Sequence, residues 1–384
     1  MKGYTAANQI TLLRNGGQYF PALETAIDGA QREVHLQTYI YELDDIGRLI
    51  GEALKRAVTR GVRVYLLLDG FGSKDLPKAY VSELLAVGIE VQFFRPKISP
   101  WTLKRNRLRR MHRKVVVIDD NCAFVGGINI IDDYNTPGRV SPRVDYAVCV
   151  QGPLLAAIKH SVATMWRRVC WAYLQKTHFV EHVYKRPPHA GNMQAALVLR
   201  DNLLHRHDIE QAYLLAMAKA QTEIVIACAY FLPGLRFRWA LRNAAKRGVR
   251  VVLLLQARVE YTLLDFASHA MYSSLLRCGI EIYEYQKSFM HSKVAVIDGH
   301  WATVGSSNID LFSFLMAREA NVVVEDIGFA AELRDDLQQA IDSGALQITW
   351  DAWQHGHFTK RFLSWVAYGL TRLMMGIAGY SDRS

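Results

Sequence analysis

The chain is written twice, and that constrains its fold more than any other feature. Residues 53–68 read ALKRAVTRGVRVYLLL, and residues 240–255 read ALRNAAKRGVRVVLLL. AQREV (30–34) returns as AQTEI (220–224), and LLAVGIEV (84–91) returns as LLRCGIEI (275–282). RKVVVID (113–119) returns as SKVAVID (292–298). The order is the same in both halves, so the chain carries a duplication of roughly 170 residues, too long for a solenoid unit and long enough for a domain. Within each copy, apolar runs alternate with helical stretches. The runs Val62–Leu68 and Val249–Leu255 follow Gly61 and Gly248, which stand where a glycine closes a helix. Strands this continuously apolar need helices on both faces. The expected class is α/β: two duplicated domains, each a mixed β-sheet flanked by helices, over residues 1–184 and 193–350. Lys185-Arg186-Pro187-Pro188 opens a linker over 185–192, and residues 351–384 form a basic amphipathic extension.

Both copies carry the same chemical pattern. His112, Lys114, Asp119, Gly126 and Asn129 match His291, Lys293, Asp298, Gly305 and Asn308 at offsets of +2, +7, +14 and +17 from the histidine. A buried structural hairpin needs neither His nor Lys. Period two puts each His and its Lys on one face of a strand. The Asp lies an odd number of residues on and opens a turn, so a structural role fits Asp119 and Asp298 better than contact with substrate, although both belong to the candidate catalytic set. The glycines end the returning strand, where backbone passes close to a neighbour. The asparagines that follow can donate to an oxygen.

Composition bounds the partner. Lys and Arg number 46 and Asp and Glu 36, a net charge of +10, with 51% apolar and 21% charged residues. Large cores can form, and an anionic partner is favoured: a nucleic acid, an anionic membrane or a phosphorylated substrate. The five cysteines lack any C-x-x-C pairing and read as reduced thiols of a cytosolic protein, with no zinc site. No signal peptide and no transmembrane helix is expected.

The repeated pattern HxKxxxxD-x6-GG/GS-x-N resembles the phospholipase D superfamily over nearly the whole chain. The resemblance implies a pseudo-twofold pairing of the copies, with both His–Lys–Asn sets meeting around one phosphodiester. It implies that His112 attacks phosphorus to form a phosphohistidine, while His291 protonates the leaving oxygen and later acts as base. Lys114, Lys293, Asn129, Asn308 and Ser306 would neutralise the non-bridging oxygens, with no metal and no cofactor. The family also has an acidic partner after each motif, and Glu319 and Asp145 occupy those places.

Within the superfamily, LLRNGGQYFPAL (12–23), LLLDGFGS (66–73), RRMHRKVVVID (109–119), NAAKRGVRV (243–251) and HWATVGSSNID (300–310) resemble the bacterial cardiolipin synthases, specifically the type without an N-terminal transmembrane pair. This implies phosphatidyl transfer from one phosphatidylglycerol to another, giving cardiolipin and glycerol. A phospholipid hydrolase and a nuclease of the same superfamily are the alternatives. The implied setting is peripheral, on the cytoplasmic side of a bacterial inner membrane, with phosphatidylglycerol and an anionic membrane surface as partners and no nucleic acid.

Two segments suit a lipid surface. Copy one has 24 residues from Gly88 to His112, where copy two has 12 from Gly279 to His291. The excess holds Arg95, Lys97, Lys104, Arg105, Arg107, Arg109 and Arg110, interleaved with Trp101 and Leu108. In the tail, Phe362, Leu363, Trp365, Val366, Leu370, Leu373, Met374 and Ile377 form one stripe, with Lys360, Arg361, Ser364, Thr371 and Arg372 mostly opposite. That pattern predicts a helix lying in a membrane interface.

Overall fold

The structure is a computed structural model. It describes residues 3–96, 109–136, 138, 140–174, 189–201, 204–257, 262–310, 317–355 and 363–371. Most of the excess basic segment (Lys97 to Leu108), Lys185–Pro188 of the linker, and Phe362, Leu373, Met374 and Ile377 of the tail stripe lie outside the described residues.

Each half builds the same sheet. In the first half, Glu33–Thr38, Arg63–Asp69 and Glu90–Phe94 run parallel. The helices Asp45–Thr59 and Lys78–Val87 connect them. The hairpin Lys114–Ile118 and Cys122–Gly126 adds antiparallel to Glu33–Thr38, followed by Tyr146–Gln151 and Thr5–Arg14. The second half repeats this with Glu223–Cys228, Arg250–Gln256 and Glu281–Tyr285 parallel. Its hairpin is Lys293–Ile297 with Trp301–Gly305, then Ala317–Glu325 and Met193–Arg200. Gly61 and Gly248 have φ of +86° and +90°, so each sits just past its helix in the left-handed region that glycine enters without strain.

The two sheets are one. Thr5–Arg14 pairs antiparallel with Met193–Arg200, and a single sheet runs from Glu90–Phe94 at one end to Ala345–Ile348 at the other. The two halves also share a core. Val115, Val125, Leu154 and Ile158 of the first pack in one cluster with Val225, Val294, Phe329 and Leu333 of the second. The opposite face of the sheet carries a separate core for each half. The pleated backbone and the burial both continue from one duplicated half into the other across this seam. Among the described residues, no helix is long and apolar enough to cross a membrane.

Candidate active site

Each motif histidine follows a two-residue strand that pairs with the opposite half. Arg110–Met111 runs parallel to Ala317 and Arg318, and the His112 amide donates to Arg318 O at 3.0 Å. Phe289–Met290 runs parallel to Arg143–Val144, and the His291 amide donates to Val144 O at 2.7 Å. Glu319 lies on the first of these partner strands and Asp145 directly follows the second, so the acidic partners cross over. His112 Nδ1 lies 3.1 and 3.2 Å from the two Glu319 oxygens. His291 Nδ1 lies 2.7 Å from Asp145 Oδ2. Each histidine is thus oriented by the carboxylate of the other copy. Nδ1–H donated to a carboxylate leaves Nε2 with the free lone pair.

The lysines lie under the histidines. Lys114 Nζ donates to His112 O at 2.7 Å, and Lys293 Nζ donates to His291 O. Lys293 Nζ also lies 2.8 Å from His291 Nδ1 and 3.4 Å from Asp145. Burial pushes Lys114 down to about 7 and lowers Lys293 as well. Burial, with Lys293 alongside, pushes His291 down to about 3. Burial lowers His112 too, against the opposing pull of Glu319. Burial would raise both carboxylates, but cationic neighbours outweigh it. His112, Arg200 and Lys114 hold Glu319 below the ordinary range, and Lys293 and His291 hold Asp145 there.

The remaining motif residues divide. Asn129 Oδ1 accepts from the Ile40 amide at 3.0 Å, which leaves its Nδ2 donors for another acceptor. Asn308 is buried, and its Oδ1 has no hydrogen-bond partner among the described residues. Ser306, expected among the phosphate-binding residues, donates its hydroxyl to Glu319, so it fixes the carboxylate that fixes His112. Asp119 and Asp298, expected within the catalytic set, lie at the far end of their strands, roughly 16 Å from the lysines at 3.3 Å per residue. Asp119 accepts the amides of Gln31, Arg32 and Glu33 at 2.8–2.9 Å. Asp298 accepts those of Gln221, Thr222 and Glu223 at 2.8–3.0 Å. Both have φ near +52° and open the hairpin turn; they pin the start of the neighbouring strand to it.

Further residues complete the site. The Tyr39 ring lies 4.7 Å from the His112 ring, and the Phe289 ring lies 5.9 Å from the His291 ring. Asp69 accepts the Met111 amide at 2.7 Å, and Gln256 accepts the Met290 amide at 2.6 Å. These two polar residues end the duplicated apolar runs at the same offset, a signal the repeat alignment already carries. Arg200 faces Glu319 across the strand pair.

Two imidazole–carboxylate pairs, each with a buried lysine and an asparagine, define a phospholipase D-like centre built by duplication. The family model described as "Cardiolipin synthase, PLD-like domain" matches residues 23–157 and 213–341. The chain is 41% identical over 355 residues to cardiolipin synthase B of Salmonella typhi, covering 90% of this chain and 83% of that protein. It is 40% identical over 350 residues to cardiolipin synthase B of Escherichia coli strain K12, covering 89% and 82%. The fold matches the crystal structure of phosphatidylserine synthase from Haemophilus influenzae Rd KW20 with a TM-score of 0.67 at 11% identity, over 96% of this chain and 94% of that one. The chain belongs to the cardiolipin synthase family of phospholipase D-like phosphatidyltransferases.

Proposed function

We propose that the enzyme joins two phosphatidylglycerol molecules into cardiolipin and releases glycerol, working at the cytoplasmic face of a bacterial inner membrane. The crossed His–carboxylate pairs carry this reading. His112 Nδ1 faces both oxygens of Glu319, so Nε2 is free to attack phosphorus, and the charge formed on the ring meets an anion. His291 Nδ1 has a lysine ammonium beside it, which makes its protonated ring a strong acid. In the first step the His112 Nε2–P bond forms, the bond from phosphorus to the glycerol oxygen breaks, and His291 gives that oxygen its proton. In the second step His291 takes the proton from the glycerol hydroxyl of another phosphatidylglycerol. The resulting alkoxide displaces His112 from phosphorus. Lys114, Lys293 and the asparagine amides stabilise the equatorial oxygens. The anionic phosphodiester supplies the field that lets His291 hold its proton before the first step.

The test is product analysis. Phosphatidylglycerol alone should yield a four-chain lipid and an equal amount of free glycerol, and His112→Ala and His291→Ala should yield neither. Phosphatidic acid as the only lipid product would instead make the enzyme a hydrolase.

A further inference from the structure

We propose that the second half carries a docking site for the phosphates of an anionic bilayer, separate from the catalytic residues, formed by Arg238, Arg242 and Arg277 and anchored by Trp239 and Trp365. This deepens the reading of a membrane-working enzyme and rests on it only for the presence of a bilayer.

The duplicated helices show what changed. Asp45–Thr59 and Leu235–Lys246 keep the same buried stripe, Ile50, Leu54 and Ala57 against Phe237, Leu241 and Ala244. Their outer surfaces differ. Arg48 and Glu52 of the first become Leu235 and Trp239 of the second, and the buried Gly51 becomes Arg238. In the first copy Lys55 is paired with Glu52 and Glu83. Its counterpart Arg242 instead lines a pocket of about 320 Å³ with Arg238, Arg277, Ser273, Ser274 and Trp365, and among the described residues no Asp or Glu lines it. Arg238 Nη2 donates to Tyr368 Oη at 2.9 Å, while its buried Nε has no hydrogen-bond partner among the described residues. Three guanidinium groups around one pocket suit a phosphate.

The surface beside the pocket is apolar where a water-facing helix would be polar. The helical residues 363–371 turn Ser364 and Thr371 inward, at 2% and 1% exposure, and leave Leu363, Trp365, Val366 and Leu370 out. Trp365 is 59% exposed and Trp239 68%. Exposed Trp and Leu beside arginines match the chemistry of a headgroup–acyl boundary. The helix that opens with Leu235 starts beside the Lys293 end of the strand Glu223–Cys228 and runs back along it, while Arg277 precedes Glu281–Tyr285 at the strands' opposite end, so the site lies along the flank of the sheet.

The experiment is flotation of the full chain with vesicles of phosphatidylcholine containing roughly one-third phosphatidylglycerol, compared with phosphatidylcholine alone. Wild type should float with the anionic vesicles. Arg242→Glu/Arg277→Glu should weaken that binding at least roughly ten-fold, and Trp239→Ser/Trp365→Ser should weaken it too, each with an unchanged thermal unfolding curve by circular dichroism. If charge reversal lowers the melting temperature, Arg242→Gln/Arg277→Gln replaces it with the same expected loss. His112→Ala should float like wild type whatever lipid product the enzyme makes, which separates this site from the catalytic reading. Flotation of the arginine variants equal to wild type would overturn the proposal. So would a wild-type dimer in sedimentation that the tryptophan variant splits, because the face would then be covered by a second copy.

Discussion

Gly127 and Ser306 hold equivalent places after their strands and show how each carboxylate dictates its neighbour. A Cβ at Gly127 would overlap both Asp145 oxygens. Asp is short, its carboxylate stays near its own strand, and only glycine leaves the space. Glu319 is one methylene longer, and the space near the backbone admits Ser306, whose hydroxyl then bonds the carboxylate. The pairs Asp–Gly and Glu–Ser are two solutions to one geometry. Gly127→Ser should therefore displace Asp145 and free the His291 ring, lowering kcat/KM about 10²-fold, the usual cost of a misplaced catalytic group, with the fold intact by circular dichroism. Wild-type kinetics in that variant would remove Asp145 from the machinery. At this scale the sequence was largely legible: His, Lys and Asn recur at fixed offsets because the chemistry needs them twice. The role of Ser306 was not, because a hydroxyl beside a phosphate site and a hydroxyl behind a carboxylate look alike in one dimension.

Short elements make the connections that periodicity cannot reveal. Arg110–Met111 and Phe289–Met290 are two residues long, too short for any hydrophobic alternation, yet they carry each histidine to the opposite half. Sequence distance pointed the other way, since Asp145 and Glu319 each follow the histidine of their own copy. The seam strand also hides its main device. At Asn8 the ladder shifts register after Ala7, which has φ +65°. The Asn8 amide nitrogen donates to Thr5 O at 2.7 Å and Met193 O at 3.3 Å, and its oxygen accepts from the Leu154 amide at 2.8 Å. One buried side chain ties the first strand, the partner strand of the second half and the start of the helix Leu154–Ala172. Asn8→Ala leaves those groups unpaired and should cost about 1–3 kcal/mol, read as a lower urea midpoint. An unchanged midpoint would mean that water replaces the side chain without loss.

At the scale of the whole molecule, the site is an electrostatic liability that the shared core confines. His112 and His291 are both held below the ordinary histidine value, and Glu319 and Asp145 below theirs. All four shifts have the same consequence, because below its ordinary pKa each group binds a proton in the unfolded chain before it does in the fold. The contribution of these four groups is fully present above about pH 6.5 and falls as the pH drops, first through the histidines and then through the carboxylates; the lowered lysines act in the same direction at higher pH. For His291, with its pKa lowered from 6.5 to about 3, the loss between pH 6.5 and 5.5 is about 1 kcal/mol. Urea midpoints should fall over that interval, and His112→Ala/His291→Ala should flatten the fall. A midpoint independent of pH in wild type would show that the histidines are not held neutral.

The crossing of carboxylates between copies also sets a stoichiometry. A polypeptide with one copy would present a histidine with no anion behind it until a second molecule docked along the same strand, completing both centres at once by rotation. Fusing the copies turns that encounter into an internal one, so the reactive centre survives any dilution. The same fusion ties the two copies together: a change at Glu319 acts on His112, in the other copy, and neither half can vary its acid without answering to its twin.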